Sequence, residues 1–364
     1  MDFIDLKTQQ ARIRGKIDAR IAAVLDHGQY IMGPEVFELE EKLCEFVGVK
    51  HAIGVSSGTD SLLIALMALE IGPGDEVITT PYTWISTAEV IALVGAKPVF
   101  VDIEPDTWNI DPNLIEPAIT ERTKAIMPVG IYGQTANMTA INEIAARHGD
   151  IPVIEDAAQS FGATHHGKMS GSLSTIGSTS FFPSKPLGCY GDGGAIFTDD
   201  DELAEKMRWI RIHGQKEKHH HPVLGLTGRL DSIQAAILLE KLEIFPEEIG
   251  MRSAVGRSYS ELLSGIPGIQ CPRTKAENTN VFAQFTVLCE DRERIRDVLA
   301  FEEVPSVSYY EVPLHLQTVF EKFNYGKGSF EITERVAHQC LSLPMSPYLS
   351  DVDLQKVTGL VRAV

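Results

Sequence analysis

Lys185 stands in the run Ser180-Phe181-Phe182-Pro183-Ser184-Lys185-Pro186-Leu187-Gly188, a lone cation between an apolar strand-like stretch and a series of glycines. No acidic residue sits beside it. A lysine that attacks a carbonyl carbon has to be held rigidly and partly desolvated, so that it gives up its proton readily. Gly188, Gly191, Gly193 and Gly194 imply a backbone brought close to something, and Ser180 and Ser184 add hydroxyls. Upstream, Ile151-Pro-Val-Ile-Glu-Asp156 ends an apolar run on a carboxylate, and Gln159 follows two alanines later. An amine for an aldehyde carbon and an anion for a ring nitrogen together point to pyridoxal 5'-phosphate. Taken one at a time, the lysine reads equally as a hairpin surface residue and the aspartate as a turn cap.

Two further features fit the same chemistry. Gly54-Val-Ser-Ser-Gly-Thr-Asp-Ser61 follows an apolar run and opens a helical one, so free backbone N–H groups and the hydroxyls of Ser57 and Thr59 are placed to hold a phosphate. Its plain reading is a capped helix start. Thr83-Trp84 follows another apolar run, where an indole can stack on a cofactor ring, although core packing is the commoner fate of tryptophan. It is the agreement of phosphate cradle, aromatic, carboxylate and amine that carries the argument. His219-His220-His221 lacks a carboxylate or cysteine partner, so no metal site is assigned. Asp199-Asp200-Asp201 reads as a helix N-cap.

The elements that must position these residues alternate in the manner of βα units, giving an α/β chain with a mostly parallel sheet. Strands are expected over 51–55, 76–79, 97–101, 124–128, 151–156, 177–182 and 195–198. Helices are expected over 7–25, 35–46, 58–69, 86–94, 137–148, 200–210 and 231–243. In such sheets ligands bind beyond the carboxyl ends of the strands, which is where the candidate residues fall. After Phe245-Pro246 the pattern changes to a long helix followed by a separate unit. The division is therefore placed there: 1–245 as a large cofactor-binding domain with N-terminal helices, and 246–364 as a smaller α+β domain.

Composition narrows the class. With 50 acidic against 32 basic residues the net charge is -18, which repels a nucleic-acid backbone. No stretch is apolar and long enough to span a membrane, and the first residues lack a basic region followed by an apolar one. Five scattered cysteines, with no Cys-x-x-Cys pair, argue against a disulfide framework. A cytoplasmic enzyme is expected.

The runs Ser57-Gly58-Thr59-Asp60-Ser61-Leu62, Glu155-Asp156-Ala157-Ala158-Gln159-Ser160 and Ser180 to Lys185 with Gly191-Asp192-Gly193-Gly194 resemble the DegT/DnrJ/EryC1/StrS sugar aminotransferases. The resemblance extends nearly end to end and implies fold type I of pyridoxal-phosphate enzymes. It further implies that Lys185 carries the cofactor covalently, Asp156 pairs with its ring nitrogen, Gln159 contacts its ring hydroxyl and Trp84 stacks on the ring. Gly58, Thr59 and Ser180 would hold the phosphate. A homodimer with interfacial sites is implied, in which the segment Leu224 to Asp231 reaches the other subunit's site. There Thr227 would contact the phosphate, and Arg229 would anchor an anionic substrate group.

Within the family, the stretch around Lys185 is similar to the branch that aminates UDP-2-acetamido-2-deoxy-3-oxo-glucuronate, with L-glutamate as donor, for O-antigen and related surface polysaccharides. Two departures stand out. Thr227 replaces a usual asparagine, and the common His-Tyr-Pro appears as Tyr309-Tyr310-Glu311 ahead of Val312-Pro313-Leu314-His315. Tyr309, Tyr310 and His315 are the expected sugar-pocket residues. Amination of another keto nucleotide sugar, another pyridoxal reaction type and a non-catalytic regulator on the same fold are the competing readings.

Overall fold

A computed structural model describes residues 1–364. Two amphipathic helices, α1 (Leu6–His27) and α2 (Pro34–Val47), precede the sheet; Pro34 occupies the first turn of α2, where its missing N–H costs nothing. There follow β1 (His51–Val55), α3 (Gly58–Ala68), β2 (Glu76–Thr79), α4 (Ser86–Leu93), β3 (Lys97–Phe100), β4 (Thr123–Met127) and α5 (Met138–Arg147). Then come β5 (Ile154–Asp156), β6 (Ile176–Ser180), β7 (Gly194–Thr198) and α6 (Asp201–Ile210). Each expected strand and helix of this region is present, displaced at most by a few residues at its ends.

A three-stranded and a four-stranded sheet meet through parallel bridges, Ile126 with Val153 and Val129 with Asp156, into one layer ordered β3-β2-β4-β5-β6-β7-β1. Only β7 runs against its neighbours. Both faces of the layer are covered. Ile53, Val55 and Ile196 pack with α3 and α6, while Ala52, Ala195 and Phe197 pack with α2 and the helix that follows α6. Alternate residues of a strand face opposite ways, so strands buried on both sides read as unbroken apolar runs.

That next helix, α7 (Ser232–Leu263), is the main departure from expectation. It continues through Pro246 for 32 residues instead of ending there. Proline removes one helical hydrogen bond, yet packing on both sides holds the helix together. Before the proline, Leu238, Leu239, Leu242 and Phe245 join the core beneath the sheet. Beyond it, Tyr259 and Leu263 join a second core built on β8 (Ile269–Gln270), β9 (Phe285–Cys289), α8 (Arg292–Phe301), β10 (Cys340–Leu343) and α10 (Asp351–Arg362), while α9 (Glu331–Gln339) packs through Val336 and Ala337 with Tyr82 and Tyr132. The three strands of the second core pair antiparallel in the order β8-β9-β10. No helix is long and apolar enough to cross a membrane.

The free edge of β1 is closed by an ion pair. Glu40, on α2, accepts from the Gly54 N–H at 2.8 Å; Arg211, just past α6, donates to the Gly54 carbonyl at 2.8 Å and to Glu40. Both side chains are buried, at 8% and 3% exposure. Removing one partner strands a buried charge. Arg211→Met is therefore expected to lower stability by about 3 kcal/mol in urea unfolding, with Arg211→Met/Glu40→Leu regaining most of the loss.

Candidate active site

Strand register gathers the site. Val55 pairs with Gly194, and Gly194 with Ser180, so three strands end on one line across the sheet. From Val55 the chain turns into α3, whose N-cap Ser57 accepts from the Asp60 N–H at 3.0 Å and leaves the first-turn N–H groups facing outward. Gly58 lies so close to β6 that a Cβ there would stand 2.6 Å from the Ser180 Cβ, and only glycine fits. Thr59 Oγ1 meets Ser86 Oγ at 2.8 Å. Hydroxyls of Thr59, Ser86 and Ser180 thus surround a helix N-terminus, an arrangement suited to a phosphate dianion.

Asp156 closes β5 and is buried. Its Oδ1 accepts from the Ala158 N–H at 3.1 Å and its Oδ2 from Thr87 Oγ1 at 3.0 Å. Each oxygen keeps a lone pair for a further donor. Burial pushes its pKa up; the Ala158 N–H, Lys185 and Thr87 pull it back. Lys185 rides the turn that joins β6 to β7 and is half-buried, its N–H donating to the Phe182 carbonyl at 2.9 Å. Desolvation lowers its pKa, and Asp156 is the one charge that opposes this. The two groups therefore titrate in each other's field. Trp84 is 61% exposed, a large indole with no aromatic neighbour of its own chain.

Gln159 is fixed at both ends: Oε1 accepts from the Tyr132 N–H at 3.1 Å, and Nε2 donates to Tyr310 Oη at 3.1 Å. Tyr132 and Tyr310 stack, with ring centroids 6.1 Å apart, and both have positive φ, 56° and 61°. Such backbone costs about 1–3 kcal/mol at a non-glycine residue and persists where surroundings over-determine it. Tyr82 completes the group, its hydroxyl 2.7 Å from that of Tyr132. Burial raises the pKa of all three phenols, so they stay protonated.

Of the remaining expected residues, Tyr309 adjoins Tyr310, with ring centroids 5.9 Å apart, and the others are held by contacts of their own. Tyr309 is half-buried against Phe3, and Glu311 pairs with Arg292 Nη1 at 3.3 Å. His315 is fully buried; Nε2 meets Glu334 at 3.0 Å and its ring packs on Phe330, while its Nδ1 has no partner. The segment with Thr227 and Arg229 lies against its own chain, where Ser56 N–H donates to the Gly228 carbonyl at 3.1 Å. Thr227 is exposed with its hydroxyl 2.8 Å from His213 Nε2, and Arg229 has a buried Nε without a partner. His219, His220 and His221 are exposed, and no cluster of metal-ligating side chains is gathered anywhere.

Ser86, Thr87, Tyr82 and Tyr132 were not singled out from sequence. The hydroxyl pair at 86 and 87 opens α4 directly after Trp84 and links the phosphate cradle to Asp156, a signal present in Thr83-Trp84-Ile-Ser-Thr87. The tyrosines carry no local pattern that marks them.

Comparison with known proteins agrees with this geometry. The chain is 54% identical, over 98% of both sequences, to the UDP-2-acetamido-2-deoxy-3-oxo-D-glucuronate aminotransferase of Pseudomonas aeruginosa. It is 45% identical to a pleiotropic regulatory protein of Geobacillus stearothermophilus, over 98% of this chain and 96% of that one. Among solved structures, S. venezuelae DesV in complex with a ketimine intermediate superposes with a TM-score of 0.97 at 41% identity, covering 100% of this chain and 97% of that one. Fold type I is thereby established. Residues 11–362 match the DegT/DnrJ/EryC1/StrS aminotransferase family, and the chain belongs to it.

Proposed function

We propose that this enzyme uses pyridoxal 5'-phosphate to move the amino group of L-glutamate to the 3-keto carbon of a UDP-linked 2-acetamido hexuronate. The observation that carries this reading is a half-buried Lys185, its pKa lowered by desolvation, in the field of the buried Asp156 and beside a hydroxyl-lined helix N-terminus. Those residues fit the cofactor. When bound, it supplies an aldehyde that takes up an amine and a protonated ring that withdraws electrons.

The chain's own groups do the rest. Asp156 holds the proton on the ring nitrogen, and Thr87 and the Ala158 N–H hold Asp156. Gln159, immobilised by Tyr132 and Tyr310, meets the ring hydroxyl, while Trp84 covers one face. The Gly58 and Thr59 N–H groups with the hydroxyls of Thr59 and Ser180 bind the phosphate. Lys185 Nζ would carry the cofactor and would serve as the base for the α proton of the donor and as the acid that delivers a proton to the sugar carbon. Glutamate leaves as 2-oxoglutarate.

For the sugar, Tyr309 and Tyr310 are the pocket residues in this reading, and Arg229 anchors an anionic group across a homodimer interface, with Thr227 beside it. Support for Arg229 comes from its unpartnered Nε. His315 is the third pocket residue in this reading, held through Nε2 by Glu334 and with Nδ1 unpartnered. The division into 1–245 and 246–364 is supported by the two separate cores, although α7 belongs to both. A cytoplasmic enzyme feeding surface polysaccharide synthesis completes the proposal.

Incubation with pyridoxal phosphate, L-glutamate and the UDP-linked 3-keto N-acetylglucosaminuronate should yield a product whose mass shows ketone replaced by amine; the sugar's recovery unchanged would overturn the substrate assignment. Lys185→Ala should fold as the parent does yet lose turnover by at least about a hundredfold. Asp156→Asn gives a test with a sign. Since the Asp156 charge helps Lys185 keep its proton, its removal frees the amine at lower pH, and the pH midpoint for borohydride-trapped attachment of the cofactor should move down. A midpoint that stays put or rises contradicts the coupling.

A further inference from the structure

Lys241 is a buried lysine that the chemistry above does not use. It lies on α7 in Leu238-Leu-Glu-Lys-Leu242 and is 1% exposed. No carboxylate bonds to it. Its amine donates to the Gly188 carbonyl at 2.6 Å and rests over the Tyr190 ring, 4.4 Å from the centroid. Burial lowers its pKa to about 8, against the pull of Glu248. Methionine would fill this space without burying an ammonium group, so the amine needs a reason to be there.

That reason is found in the turn it touches. Gly188 and Tyr190 belong to the segment between β6 and β7 that carries Lys185. Within itself the turn is tied by Lys185 N–H to the Phe182 carbonyl at 2.9 Å and Cys189 N–H to the Phe181 carbonyl at 2.8 Å. It is drawn so tight that a Cβ at residue 188 would stand 2.6 Å from the carbonyl oxygens of Phe182 and Pro183. These bonds shape the turn but do not anchor it. Anchoring comes from α7, where Gln234 Oε1 accepts from the Tyr190 N–H at 2.9 Å and Lys241 reaches Gly188. Positions 234 and 241 lie about two turns apart on one helix face, so one rigid element grips the loop at two points.

The chemistry of the grip suits lysine. A buried carbonyl needs a donor; a carboxylate offers none, and serine or asparagine is too short to cross from the helix axis. We infer that Lys241, with Gln234, is a positioning residue: through the Gly188 carbonyl it fixes the turn that aims the Lys185 amine. This rests on Lys185 being the cofactor-bearing lysine.

The test follows attachment, not turnover. Apoprotein is mixed with pyridoxal phosphate, quenched with borohydride at intervals, and the modified peptide quantified by mass; the pH midpoint of the bound cofactor's absorbance is recorded alongside. Lys241→Met should keep the parent's circular dichroism yet attach the cofactor at Lys185 roughly ten- to a hundredfold more slowly, with a shifted midpoint. Lys241→Arg, which keeps a donor, should recover most of the rate. Gln234→Leu cuts the other grip and should slow attachment in the same direction, which keeps the test decisive if Lys241→Met does not fold. Parent-like rates and midpoints in the folded donor-lacking variants would overturn the inference. A parent that attaches nothing at Lys185 would overturn it together with the cofactor reading, and is told apart by the parent's own trace.

Discussion

Two groups of opposite charge tendency, the buried Asp156 and the half-buried Lys185, are drawn out of bulk water, and the structure around them follows from that. Left alone, a buried carboxylate would take up a proton and a buried amine would lose one. Together, each charge pulls the other's pKa back against burial: Asp156 favours the lysine's proton and Lys185 the aspartate's charge. The arrangement is open at the middle, since neither group consumes the other's hydrogen-bonding capacity. A ligand that inserts a protonated nitrogen beside the carboxylate and a carbonyl carbon beside the amine would satisfy both.

Holding them there takes the whole sheet. Asp156 is delivered by a parallel strand, while Lys185 hangs from the one connection that reverses direction, between β6 and the antiparallel β7. Parallel strands require long crossovers, so only at a reversal can a short turn project from the carboxyl edge and double back. Polar second partners then remove the remaining freedom: Thr87 for the carboxylate, and Tyr132 with Tyr310 for Gln159. Outlying pairs such as Glu40 with Arg211 do the same for the edge strand from which the phosphate cradle grows.

Much of this was legible in the sequence. Strands buried on both faces are written as continuous apolar runs, so β1 to β7 could be picked out before any coordinates, and the glycine and hydroxyl clusters at their ends drew attention to Gly58, Thr59, Asp156, Gln159, Ser180 and Lys185, which the fold brings to one edge of the sheet. What stayed hidden depends on contacts distant in sequence. Pro246 looks like a helix terminus because local propensity says so, and tertiary packing around Phe245 overrules it. His315 is named by resemblance alone, and its partner Glu334 is visible only once the chain is folded. Tyr132 contributes a backbone N–H, which no side-chain pattern announces.

The helix that refuses to break at Pro246 has a thermodynamic meaning as well. At 32 residues, or about 48 Å, α7 is a structural beam common to both cores, with Phe245 embedded in one and Tyr259 in the other. Two bodies joined by a floppy tether can melt separately, whereas two that share a helix lose part of their own core when the other comes apart. The unit that carries Asp156 and Lys185 and the unit that follows it are in this sense a single cooperative solid.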